Sequence, residues 1–420
     1  MIPYPPNDGG TLCTFGLIDY LRKFHDIQIL LISASIKDKD NIEALIKKWP
    51  DVTIHRVDLF KENKHPVKRK FLDFIKNTIK EAYQLANSLT TKSIPAEDVY
   101  SRYDTNYSLP FAPHPEPFVK KLSAIINENK FHIIQAESTS MLNLVNLFPP
   151  GVKKIYLQIE GRGEILYDYG LANNFDPTYI KHVAGNASFL EYTYMNQYDA
   201  VLALNEKDKI NIEQNVSPQV KVFSSPFGIL DADIKEPDMD NYKAENLIFL
   251  GSEYHYPNFD GLNWFLTDVL PKFKQFPFKK LYITSQWSEE TIKRYQELTD
   301  RVCFIGFVND LTPYLKNSIS IVPIRIGGGG IRTKILSAMH QGSPVVATSL
   351  AAVGIKGRHQ KEILIADTAN DFALAVDRFF TDNEFARTVG KNAYQLIINE
   401  YSQSKVGEIR NTIYNKICDK

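Results

Sequence analysis

Short, nearly continuous apolar runs alternate along the chain with longer stretches in which apolar residues recur every three or four positions. The runs at Ile27–Ile32, Val52–Val57, Phe131–Ala136, Lys154–Gln158, Ala200–Leu204 and Val220–Phe223 read as strands of a first half. Those at Asn246–Gly251, Lys280–Thr284, Val302–Ile305, Ile319–Pro323, Pro344–Thr348 and Glu362–Ile365 read as strands of a second. A strand that is apolar without alternation is buried on both faces. With a helical segment before the next strand, it predicts βαβ units and parallel sheets, an α/β fold. The closing segment Val406–Cys418 carries Ile409, Ile413 and Ile417 at helical spacing. It predicts a helix packed against a domain, returning toward the first.

The pattern breaks near Pro226–Ala244, where two prolines, a glycine and several acids mark an exposed linker. This divides the chain into a domain over 1–228, a second over 229–403 and a closing helix over 404–420. Two stretches of the first half read as irregular, Ser88–Pro117, rich in Ser, Thr, Pro and Tyr, and Gly161–Ala187, rich in Gly, Asn, Asp and Tyr. Residues 61–80 hold seven Lys and Arg against Glu62 and Asp73, with Val67, Phe71, Ile75 and Ile79 on one helical face. Such a segment suits peripheral contact with the anionic inner face of a cell membrane, and equally a solvated helix face.

Composition narrows the function. The 420 residues carry 49 basic and 49 acidic side chains, so the net charge gives no case for nucleic acid as a partner. Three cysteines, Cys13, Cys303 and Cys418, are too few and scattered for a disulfide framework or a zinc site. No apolar run reaches the roughly 18 residues of a membrane span. The N-terminus shows no basic-then-apolar leader. A cytoplasmic location is the expectation.

The densest chemical signal is Ile321–Thr348. A strand ends at Pro323, four glycines follow from Gly327 to Gly330, and a helix carrying Ile331, Ile335, Ala338 and Met339 on one face runs to Gly342. Glycines there allow a ligand close to the backbone, and a helix start points N–H groups at it. Arg325, Arg332 and Lys334 surround the same point. Together they predict an anion site suited to phosphate. Gly9 and Gly10 precede an N-terminal helix with Phe15, Ile18 and Leu21 in the same manner. Three Asp-x-Asp triplets occur, at Asp38–Asp40, Asp231–Asp233 and Asp238–Asp240. Two lie in the linker, without the rigid frame a metal needs, so no metal is expected.

The stretches Phe249–Phe265, Val302–Leu311 and Pro323–Thr348, with Tyr4–Gly10 as a leader, resemble group 1 glycosyltransferases, in particular bacterial members acting on extracellular polysaccharide. The likeness is strong over Asn246–Ser402 and looser before it. It implies the GT-B fold, two facing Rossmann-like domains with parallel sheets and an interdomain cleft. It implies metal-independent transfer of a sugar, with retention, from a nucleotide-sugar donor to a saccharide or lipid-linked acceptor, with no cofactor. The residues it marks as catalytic are Glu160, Arg325 and Lys334. Those it marks for the donor are Gly9, Gly10, Gly251, Gly306, Phe307, Gly327, Gly328, Gly329, Gly330, Ile331, Arg332, Thr333 and Ser337. Polar residues after strands of the first half, Arg162, Glu164, Glu137 and Ser138, are further candidates.

The chain departs from the family's pattern in three respects. Ser252 and Pro257 stand where an Arg and a Lys usually hold the donor diphosphate. Gly329 and Ser337 stand where two glutamates are common. The family's first strand is expected ahead of Pro3. Two other readings stay open, a nucleotide-sugar 2-epimerase of the same fold and a non-catalytic subunit descended from a transferase.

Overall fold

A computed structural model describes residues 2–6, 9–60, 113–308, 310–327 and 329–418. The basic segment 61–80, most of Ser88–Pro117 and Gly328 lie outside them. Among the described residues twelve strands form, one within or overlapping each apolar run. In the first half they are β1 (Gln28–Ser33), β2 (Thr53–Asp58), β3 (Ile133–Glu137), β4 (Lys153–Gln158), β5 (Ala200–Ala203) and β6 (Lys221–Ser224). In the second they are β7 (Asn246–Phe249), β8 (Leu281–Thr284), β9 (Val302–Gly306), β10 (Ser318–Val322), β11 (Val345–Ala347) and β12 (Leu364–Ile365).

The second half is one six-stranded sheet in the order β12-β11-β10-β7-β8-β9, with every pairing parallel. The chain builds outward from β7 through β8 to β9, then returns to lay β10 on the other side of β7. This reversal opens a crevice beyond the carboxyl ends of β7 and β10, where ligands of open α/β sheets bind. Leu247, Phe249, Ile283, Ile319 and Ile321 are fully buried in the sheet, against Phe265 and Phe372 from the covering helices.

The first half is divided. β3-β4-β5-β6 form one parallel sheet in chain order, and β1-β2 form a separate parallel pair. Residues 2–6 form no strand, and among the described residues no strand joins β1 to β3. The small pair keeps its own core, with Leu31 packed among Phe15, Ile42, Leu45 and Trp49. Helix Gln403–Ile417 lies against this half. Its Arg410 donates to Ser225 Oγ at 2.6 Å, and its Tyr414 hydroxyl to Gln135 Oε1 on β3 at 2.7 Å. The chain passes between the halves twice, and the passages pair. Ile229 N–H donates to Tyr401 O at 2.7 Å, and Gln403 N–H to Ile229 O at 2.8 Å.

The stretch 161–187 is not irregular. It forms two packed helices, Arg162–Ala172 and Pro177–Met195. Its glycines act as contact points. A Cβ on Gly163 would fall 1.9 Å from Ser188 Oγ, and one on Gly170 would fall 2.1 Å from Ile180. Asp176 caps the second helix by accepting from Tyr179 N–H, and Pro177 opens it. Residues that read as loop-formers by composition here permit close helix packing.

Candidate functional site

A cleft of about 1860 Å³ separates the halves. From the first half it is lined by Gly9, Gly10, Glu137, Ser138, Glu160 and Arg162. From the second it is lined by Gly251, Ser252, His255, Asn258, Phe307, Thr333, Lys334 and Ser337. The second set comes from the loops after β7 and β9, from helix Tyr256–Trp264 and from helix Thr333–Met339, at the crevice created by the strand order. Gly9 is pressed against that helix, since a Cβ on it would fall 1.9 Å from Thr333 Oγ1.

Lys334 is the cation at the base of the cleft. Its Nζ donates to Asn258 Oδ1 at 2.5 Å and lies 5.2 Å from the centre of the Phe249 ring. Asn258 is buried and its Nδ2 donates to Ser252 O at 3.0 Å, so the amide is fixed with its oxygen toward the amine. Lys334 makes no ion pair among the described residues. Burial, assisted by the Arg332 charge, lowers its pKa to about 7. Burial, with Lys334 and Arg332 behind it, pushes His255 down to about 4, which keeps the imidazole neutral. Lys334 thus brings its amine to the residue beside Pro257, in the region where the sequence lacks the expected lysine.

The glycine loop is engaged from the opposite side. Gly327 N–H donates to Asp168 Oδ2 at 3.1 Å, and Gly330 N–H to Asp208 Oδ2 at 2.7 Å. Both carboxylates belong to helices of the first half. Asn205 Nδ2 donates both to Asp208 Oδ2 at 2.7 Å and to Gly330 O at 3.1 Å. The loop's expected role as an open phosphate cradle is therefore not what this structure displays, because protein carboxylates hold those N–H groups. The helix that follows spans only seven residues and begins at Thr333. The glycines serve close approach. A Cβ on Gly329 would fall 2.5 Å from Asp208 Oδ1, and one on Gly330, at φ +87°, 2.7 Å from Ile159 O.

Other residues singled out in the sequence fall in different places. Arg325 does not line the cleft. It pairs with Asp260 at 2.9 Å and lies over the Trp264 ring at 5.1 Å. Ile331 is buried among Ile335, Leu336 and Val322 in a hydrophobic core. Arg332 Nη1 donates to Gly329 O at 3.1 Å. Gly306 ends β9 at φ +68° and presents Phe307, 55% exposed, to the cleft. Glu160 lies beside Gly330, and burial raises its pKa against the pull of Arg332 and Arg162. Ser138 takes φ +70° at the carboxyl end of β3.

Sequence reasoning missed Asp168, Asp208, Asn205, His255 and Glu191. Asn205 and Asp208 carry a readable signal, since Asn205 Oδ1 accepts from Asp208 N–H as a helix cap. That signal explains the helix and gives no hint of the loop. Glu191 lies beneath the cleft wall. It accepts from Arg162 N–H at 2.9 Å and from Thr139 Oγ1 at 3.2 Å, and burial raises it to about 7.

Residues 244–382 match the family model described as glycosyl transferases group 1. An uncharacterized 44.6 kDa protein in the cps region of Klebsiella pneumoniae is 27% identical over 174 residues. That match takes in 38% of this chain and 44% of the relative. Among solved structures, a glycosyltransferase from Rickettsia africae superimposes with a TM-score of 0.60 at 14% identity, over 98% of this chain and 95% of the other. A mutant of S. aureus TarM, solved with Fondaparinux, alpha-GlcNAc-glycerol and UDP, gives 0.62 at 13% identity over 97% of each chain. Anabaena HepE, in complex with UDP and glucose, gives 0.56 at 13% identity over 96% of this chain and 95% of the other. Residues 244–382 thus match the glycosyl transferases group 1 model, and the described chain has the GT-B fold.

Proposed function

We propose that the chain transfers a sugar from a nucleotide-diphosphate donor to a saccharide or lipid-linked acceptor in cell-surface polysaccharide assembly, with retention at the anomeric carbon. The observation that carries this reading is the half-buried amine of Lys334. It lies at the carboxyl ends of β7 and β10, with no carboxylate among the described residues to neutralise it, in a cleft whose other wall is a separate domain. A group placed so meets an anion that arrives with the ligand.

Breaking the donor's glycosidic bond leaves a diphosphate with new negative charge and an oxocarbenium-like sugar. Fixed cations directed at the departing oxygen stabilise that charge more in the transition state than in the ground state. Lys334 supplies such a cation, with Arg332 behind it, and in this reading no metal ion is required. Phe307, exposed on the cleft wall, suits the flat face of a nucleotide base. Glu160, Arg162, Glu137 and Ser138 form the wall toward the acceptor. The UDP in the TarM and HepE structures supports a nucleotide donor, and the cps-region relative supports a role in surface polysaccharide.

The test is mass spectrometry of products after incubation with a panel of nucleotide sugars and saccharide or lipid-linked acceptors. Sugar mass gained by an acceptor supports the proposal. Epimerisation leaves the mass unchanged, so a nucleotide sugar converted to its epimer without an acceptor, read by proton NMR, makes the chain an epimerase, and no turnover of any donor removes the enzymatic reading.

A further inference from the structure

The glycine loop and the acids that hold it carry an inference that rests on the transfer reading above. We propose that Asp168 and Asp208 are positioning residues, whose carboxylates hold the glycine loop across the domain boundary and couple closure of the cleft to the meeting of its donor and acceptor walls.

The geometry is that of an anion bound to a loop of N–H groups, with the protein's own carboxylates as the anion. Gly327 N–H and Gly330 N–H each donate to a different aspartate, one from helix Arg162–Ala172 and one from helix Glu206–Asn215. The Asn205 amide completes the grip by donating to Gly330 O. Asp208 is 9% exposed and Asn205 4%, so their bonds to Gly330 are shielded from water and from salt, while the bond of Asp168 to Gly327 is part-buried. Backbone N–H groups holding ionised carboxylates are among the stronger hydrogen bonds of proteins.

The loop leads directly into Arg332 and Lys334. Arg332 Nη1 donates to Gly329 O, which ties this side chain to the same backbone. With the loop held at 327 and 330, the start of helix Thr333–Met339 is fixed relative to Asn258 and the first-half wall. Without the two aspartates the loop loses the partners of two N–H groups, and of these bonds across the boundary only the one from Asn205 to Gly330 O remains. A donor diphosphate does not need those N–H groups, because Lys334 addresses the cleft from the other side of the loop. This separation predicts that the aspartates govern turnover more than donor affinity.

The experiment compares wild type with Asp168→Ala, Asp208→Ala and Asp208→Asn by small-angle X-ray scattering, UDP calorimetry and steady-state kinetics. Asp168→Ala lies mid-helix and leaves the Asn205 cap in place, so it remains informative if Asp208→Ala folds poorly. Asp208→Asn keeps an acceptor oxygen and should rescue part of the loss. We expect each alanine variant to show a larger radius of gyration and turnover lowered by about ten- to a hundredfold, the worth of one charge-assisted hydrogen bond. UDP affinity should stay within about threefold, less than one such bond is worth. Wild-type turnover in the alanine variants, or lowered turnover with an unchanged radius of gyration, would overturn the coupling. Scattering needs no reaction. A wild type that transfers no sugar therefore refutes the reading of the site, while the scattering of the variants still decides whether the aspartates close the cleft.

Discussion

Lys334 Nζ and Asn258 Oδ1 lie 2.5 Å apart, one on the helix after the glycine loop and the other on the helix after β7. The bond joins the two elements that flank the crevice and turns a half-buried amine toward the cleft. Lys334→Ala should weaken UDP binding by about ten- to a hundredfold, the worth of one charge-assisted contact. Lys334→Arg should recover part of it, because charge is kept and reach changes. Calorimetry with UDP, with folding checked by circular dichroism, measures both. Equal affinity in wild type and Lys334→Ala would place the diphosphate elsewhere.

The same amine predicts a pH dependence. With a pKa of about 7, Lys334 is largely neutral above that pH and must take up a proton to meet a diphosphate. UDP affinity should therefore fall as pH rises from 7 to 9, by up to about tenfold per unit. Phosphate ionisation, with its second pKa near 6, is about nine-tenths complete at pH 7 and contributes little above it. His255, already neutral, does not contribute either. Titrations at pH 8 in buffers of different ionisation enthalpy should show net proton uptake on binding. Lys334→Arg, always charged, should bind with little dependence on pH.

Gly330→Ala tests the close approach of the domains. A Cβ there meets Ile159 O at 2.7 Å, and φ is +87°. Backbone must shift on one side of the boundary, since neither a carbonyl nor a left-handed alanine relaxes cheaply. The variant should lose about 1–3 kcal/mol of stability by chemical denaturation. Gly185→Ala, where a Cβ meets nothing within 4 Å, is the control and should cost little.

Glu191 gives a stability prediction with a definite sign. Its folded pKa of about 7 exceeds its unfolded value, so its ionisation is harder in the folded state. Its favourable contribution is present below the unfolded pKa and is lost as pH rises through about 7. Glu191→Gln resembles the protonated form. Between pH 5 and 8 wild type should lose roughly 2–4 kcal/mol relative to this variant. Parallel denaturation curves for the two proteins over that range would exclude the shift.

The sequence by itself determined the strands and pointed to the region proposed here as the site. Each apolar run became a strand because burial on both faces of a parallel sheet leaves a local, contiguous imprint. The glycine run after β10 marked the crevice for a similar reason, since the sheet's strand order places loops after β7 and β10 together. Tertiary structure decided what those loops touch. Asp168 and Gly327 are 159 residues apart, Asp208 and Gly330 are 122, and Lys334 and Asn258 are 76. Arg325 and Lys334 look alike in the sequence, yet Asp260 engages the first and the cleft receives the second. Gly163 and Gly170 read as breakers, and only the facing helix makes them packing contacts. Periodicity records whether a residue is buried. Its partner depends on how separate elements dock, and that is set by shape and charge matched over long stretches of chain.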